Sequence, residues 1–121
     1  MKKLILLTVL GLLLLSGCID LLYGRTRIYT IKYTVTGTYS YADITYTNYR
    51  GEEDKVNNAR IPWTKTVSIT GKWNDYKSIY LNAYGRGNGS LTVAIYNDGS
   101  LAKEKKASGY FSSNASIYYT P

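Results

Sequence analysis

A two-residue alternation recurs along most of this chain and narrows its fold more than any other feature. In RIYTIKYTVTG, residues 27–37, Tyr29, Ile31, Tyr33 and Val35 alternate with Thr30, Lys32, Thr34 and Thr36. Successive side chains of a strand point to opposite faces, so this stretch predicts one buried face and one polar face. The pattern returns at Ala42, Ile44 and Tyr46, then at Trp63, Val67 and Ile69 after Pro62. Lys65 shares the phase of that third strand, so either its first half lies at a sheet edge or the lysine snorkels outward. Ile79, Leu81 and Ala83 follow, then Leu91, Val93 and Ile95, and finally Ala115, Ile117 and Tyr119. Asp98-Gly99 predicts a tight hairpin turn and GRGNG, residues 85–89, a second turn. YRGEEDKVNNAR, residues 49–60, is polar and charged and reads as a loop.

These add up to about seven short strands with no apolar helical stripe, an all-β domain of antiparallel strands. Two packed sheets or a small barrel would bury them, and alternation does not separate the two. The first is the expectation adopted.

The start of the chain has a different logic. Lys2 and Lys3 precede an apolar run from Leu4 to Leu15, the form of a secretory signal. Twelve residues of helix span only about 18 Å against a hydrocarbon core of roughly 30 Å, so a membrane-crossing helix is the weaker interpretation. The run ends in Leu15, Ser16, Gly17 and Cys18, which resembles the bacterial lipoprotein processing box. The expected organisation is a signal peptide over 1–17, a lipidated N-terminus and short tether over 18–26, and a β-sandwich over 27–121. Two acyl chains on Cys18 would hold the domain firmly to a membrane. Ile19 follows Cys18, and Asp20 comes one place later. By resemblance to the sorting rules of double-membraned bacteria, this favours the outer membrane where one exists. The chain has one cysteine, so it forms no internal disulfide and must stand on packing.

Charge and chemistry exclude several function classes. The formal charge is +7, and without Lys2 and Lys3 it falls to a mild excess. No zinc-finger spacing, recognition helix or arginine-rich arm accompanies it, so no nucleic-acid partner is expected. Lys103, Lys105 and Lys106, broken by Glu104, read as a solvent-facing strand or turn. There is no histidine, which removes the commonest general base and metal ligand. Glu52, Glu53 and Asp54 lack the alternating ligands and central glycine of a calcium loop. No phosphate-cradling or dinucleotide motif occurs. Neither an enzyme nor a cofactor or metal site is expected.

Fourteen tyrosines are the compositional oddity. By phase, Tyr29, Tyr33, Tyr46 and Tyr119 belong to the core. Tyr80, Tyr84 and Tyr96 fall opposite their aliphatic neighbours, and Trp73 sits in the turn-like GKWNDY. Those four are the candidate interaction surface, since exposed aromatic rings combine contact area with a polar handle.

Longer motifs carry a resemblance. Tyr33, Val35 and Gly37, then Ile44, Thr45 and Tyr46, then Pro62 and Trp63, then Asp98 and Gly99, then Gly109 and Tyr110 occur in the order seen in the MmpS family. These are small membrane-anchored proteins, with lipoprotein relatives outside mycobacteria. The resemblance implies an Ig-like antiparallel β-sandwich outside the cytoplasmic membrane, and a role as accessory to lipid or siderophore exporters. This chain departs from the mycobacterial branch in its lipobox and in lacking that branch's cysteine pair, with Val93 near the first expected position. The expected function is therefore a non-enzymatic, membrane-anchored lipoprotein of the cell envelope that offers its sandwich to a protein partner. The alternative is a glycan- or lipid-binding module, and a hydrolase is the third class.

Overall fold

The computed structural model describes residues 26–72 and 78–121. Among them run β1 (Thr26–Gly37), β2 (Tyr41–Thr47), β3 (Glu53–Arg60), β4 (Trp63–Lys72), β5 (Ile79–Arg86), β6 (Gly89–Asn97), β7 (Ser100–Gly109) and β8 (Ser112–Tyr119). They form two four-stranded sheets of order β4-β1-β6-β7 and β3-β2-β5-β8, antiparallel throughout. The expected sandwich is what the chain builds.

The interior follows the alternation. Ile31, Tyr33 and Val35 of β1 and Leu91, Val93 and Ile95 of β6 are all fully buried. They face Ile44, Ile79, Leu81, Ala83, Ala115 and Ile117 of the other sheet within one core. Burying each large aliphatic side chain is worth about 1.5–3 kcal/mol, which is how a chain without a disulfide holds together. Lys65 lies on edge strand β4 and is exposed, as its phase allowed. Asp98 and Gly99 both take positive φ, 49° and 86°, closing the β6–β7 hairpin.

One segment departs from the sequence reading. Residues 49–60 do not form a loop throughout, because Glu53–Arg60 pairs with β2 as an eighth strand. Only Val56 and Ala59 of β3 are withdrawn from solvent. An edge strand with so little buried face leaves no apolar alternation to read. The true loop is shorter. Asn48 closes it, its Oδ1 accepting from the backbone N–H of Arg50 at 2.9 Å and of Glu52 at 3.0 Å.

The strand registers define two poles. At one lie the start of β1, the Asp98-Gly99 turn, the Asn48 loop and the chain end after Tyr119. At the other lie the β1–β2 crossing, the Gly87 turn between β5 and β6, and the Tyr110-Phe111 corner between β7 and β8. Gly37 stands where β1 leaves its sheet for that far pole. Its φ is 147°, and a Cβ there would run into the Ser90 carbonyl oxygen, so only glycine fits.

Tyr33 joins the sheets through the core. It is fully buried, and its hydroxyl donates to the Thr47 carbonyl oxygen of β2 at 2.8 Å. Tyr46 packs on it with ring centroids 5.5 Å apart, and Trp63 packs on Tyr46 at 5.4 Å. Burial pushes the Tyr33 phenol well above the ordinary value of 10.0, with the neighbouring Tyr46 adding to it. Tyr46 is raised as well, by burial first and then by the charge of Asp54. A raised folded-state value means that this stabilisation is complete below pH 10 and is lost as the pH climbs above it. Tyr33→Phe should cost about 1–2 kcal/mol at pH 7 by orphaning the Thr47 carbonyl. In denaturant titrations, wild type should weaken on moving above pH 10, and the variant should weaken less.

Candidate functional site

A cleft of about 260 Å³ opens on the outer face of the β3-β2-β5-β8 sheet, beside the far pole. Its origin is an irregularity in the β2–β3 ladder. Ala42 pairs with Ala59, but Ile44 already pairs with Val56, so β3 carries an extra residue opposite Asp43. Asn58 absorbs it with a φ of 54°, the left-handed conformation that asparagine tolerates better than most residues. Asp43 fixes the distortion. Its Oδ1 accepts the Asn58 backbone N–H at 2.9 Å, and its Oδ2 meets Arg86 Nη2 of β5 at 3.3 Å. Tyr41 and Tyr84 contribute rings to the walls.

Tyr39 seals the end of the cleft. Its ring lies against Gly85 and Gly89, where an added Cβ would stand 2.7 and 2.8 Å from ring atoms. Its hydroxyl lies 2.7 Å from the Gly87 carbonyl oxygen and 2.8 Å from Ser113 Oγ, which donates to the Gly89 carbonyl oxygen at 2.8 Å. This network ties the β5–β6 turn to β8. Next to it the Gly87 N–H donates to the Phe111 carbonyl oxygen at 2.8 Å, holding the β7–β8 corner. The side chains of that corner turn outward, with Tyr110 82% and Phe111 92% exposed.

The candidate surface residues separate. Tyr80 and Tyr84 lie on β5, on the outer face of the sheet that carries the cleft. Tyr80 stacks on Tyr118 of β8 with centroids 4.7 Å apart, and Tyr84 lines the cleft. Tyr96 belongs to β6 in the other sheet, where the Lys32 ammonium sits 4.5 Å from its ring centroid. All three are half-buried. Trp73, Cys18 and the Leu15-Ser16-Gly17 box lie outside the described residues. Sequence reasoning missed Tyr39, Asp43 and the exposed Phe111. The Asn57-Asn58 pair inside a polar run was the available hint of a left-handed residue. Glu52, Glu53 and Asp54 do not converge, and among the described residues no three acidic, histidine or cysteine side chains do. Asp54 instead accepts from Asn48 Nδ2 at 3.1 Å and from the Tyr46 hydroxyl at 3.4 Å.

The two partners of Asp43 differ in weight. The Arg86 side chain is 77% exposed, and such an ion pair contributes little. Arg86→Ala should therefore change stability by about 0.5 kcal/mol or less. Asp43→Ala removes the acceptor that holds the strained Asn58 backbone and should cost about 1–2 kcal/mol. Equilibrium unfolding of the two variants checks the contrast.

Comparison with known sequences adds kinship to this geometry. The profile of a family described as Mycobacterium membrane protein matches residues 26–118, from the first residue of β1 into β8. Relatives in Mycobacterium tuberculosis, strains H37Rv and CDC 1551, carry the name siderophore export accessory protein MmpS5. A relative in Mycobacterium bovis is named probable transport accessory protein MmpS5. Each is 30% identical over 80 residues, covering 65% of this chain and 53% of its own length. The chain thus spans about half the length of the curated relatives it matches. Because the match takes in strands of both sheets, from the β1 start to Tyr118, the chain belongs to the MmpS family of mycobacterial-type membrane proteins.

Proposed function

We propose that this protein is a non-enzymatic accessory of an envelope export complex, tethered by lipid and working through its β-sandwich. The chain is exported, cut after Gly17 and acylated on Cys18, and the tether over 18–26 keeps the domain near the bilayer. In a double-membraned organism Ile19 favours the outer membrane. The observation that carries the reading is the aromatic corner at the pole opposite the β1 start, Tyr110 and Phe111, in a family with members named as export accessories. Two large adjacent rings left in water are costly, and such groups serve as anchors at protein interfaces. The network through Tyr39, Gly87 and Ser113 supports their corner from beneath, so little ordering remains to be done on binding.

A second reading rests on the cleft. Tyr41 and Tyr84 beside Asp43 and Arg86 combine apolar ring surface with planar polar groups, a lining suited to a glycan or a lipid headgroup.

Crosslinking in the native cell, followed by a detergent-solubilised pull-down, decides between them. Wild type should recover one membrane complex, and Cys18→Ala should lose it along with the membrane. Tyr110→Ala/Phe111→Ala should stay membrane-bound yet recover no complex. A wild-type chain that is membrane-bound and comes down alone would overturn the accessory reading and favour the cleft.

A further inference from the structure

A two-layer sandwich leaves four edge strands, each a row of unpaired backbone donors and acceptors. Here they are β4 and β7 of one sheet and β3 and β8 of the other. Proteins guard such edges with charge, above all with charged side chains turned toward the interior face. Three of the four edges are guarded in this way. Lys65 on β4 pairs with Tyr33, Asp54 on β3 pairs with Tyr46, and Lys103 and Lys105 on β7 pair with Ile95 and Val93. Directly paired residues share a face, so all four charges have the phase of buried neighbours while being exposed themselves. β8 reads SSNASIYY and carries no charge.

The unguarded edge and the lysines of β7 share one flank, since β7 and β8 are joined by the two-residue Tyr110-Phe111 corner and each is the last strand of its sheet. Lys103 and Lys105 are exposed although their ladder partners Ile95 and Val93 are fully buried. β7 runs close to β8, and the two lysines reach from the interior phase of β7 past that edge into the space beyond it. A strand added to β8 would fill that space with alternate side chains directed at the two lysines.

From this we infer that β8 is a docking edge for an extended segment of a partner protein that carries carboxylates at alternate positions. Backbone pairing to β8 supplies affinity, and Lys103 and Lys105 select the acidic side chains. A second copy of this chain is a poor occupant. Pairing β8 with itself would bring two β7 strands, each with Lys103 and Lys105, together over the same space. The inference rests on the reading of the domain as a protein-binding accessory. It adds which edge binds and what chemistry it selects.

The test uses the full chain in detergent micelles with two synthetic ten-residue peptides, one alternating threonine and glutamate, the other threonine and lysine. Hydrogen exchange is the readout, because strand addition protects backbone amides and loose surface contact does not. The glutamate peptide should slow exchange across β8 and leave β4 unchanged. Lys103→Glu/Lys105→Glu should weaken it about tenfold and let the lysine peptide bind in its place. Equal effects of both peptides on the wild type, no protection of β8, or indifference to the charge reversal would each overturn the inference. The crosslinking experiment separates the two failures. If the charge-reversed chain still recovers the membrane complex, the docking edge falls and the accessory reading stands. If wild type recovers none, both fall.

Discussion

The structure depends on a polar group placed where no water reaches. Tyr33 crosses the interior from one sheet, fully buried, and its hydroxyl finds its acceptor in the Thr47 backbone of the other. A buried hydroxyl left without a partner would cost more than its ring contributes by packing badly elsewhere, so this bond restricts how the sheets can be spaced and aligned. Tyr46 and Trp63 stack outward from Tyr33 toward the β3 and β4 edges. With one cysteine in the chain, no covalent link shares the task.

Much of this was legible in the sequence because burial imposes a period of two. Ile31, Tyr33 and Val35 declared a buried face, and Lys65 allowed an edge. Asp98-Gly99 declared its turn through the positive φ that both residues adopt. Glu53–Arg60 was hidden because an edge strand exposed on most of its length has no reason to alternate. The cleft was hidden for another reason. It needs Asp43, Asn58 and Arg86 brought together from three strands, and the alternation of each strand says nothing about its neighbours. The same gap separates Tyr96 from Tyr80 and Tyr84. Their outward phase could be read, but membership of opposite sheets could not.

The proposed function assigns the two poles different tasks. The pole where β1 begins carries the Asn48 loop and exposes Ile28, Tyr49 and Leu101, each less than Tyr110 or Phe111. The opposite pole carries Tyr39, Tyr110 and Phe111, and from it runs β8, the edge without charge. An anchor that precedes β1 and a partner that meets the far pole would use opposite ends of one rigid body. That arrangement suits a protein that must hold a binding surface at a set distance from a membrane.

Electron paramagnetic resonance on the lipidated chain in liposomes addresses this polarity most directly. In the form acylated on Cys18, Ser100→Cys and Phe111→Cys would each introduce a single free thiol for a spin label. Collision with membrane-soluble oxygen and with a water-soluble nickel complex then reports the depth of each label. The account predicts that the Ser100 label lies nearer the bilayer and that the Phe111 label collides freely with nickel, as a water-facing pole requires. A Phe111 label shielded from nickel and accessible to oxygen would contradict it, making the aromatic corner a membrane wedge and not a docking end.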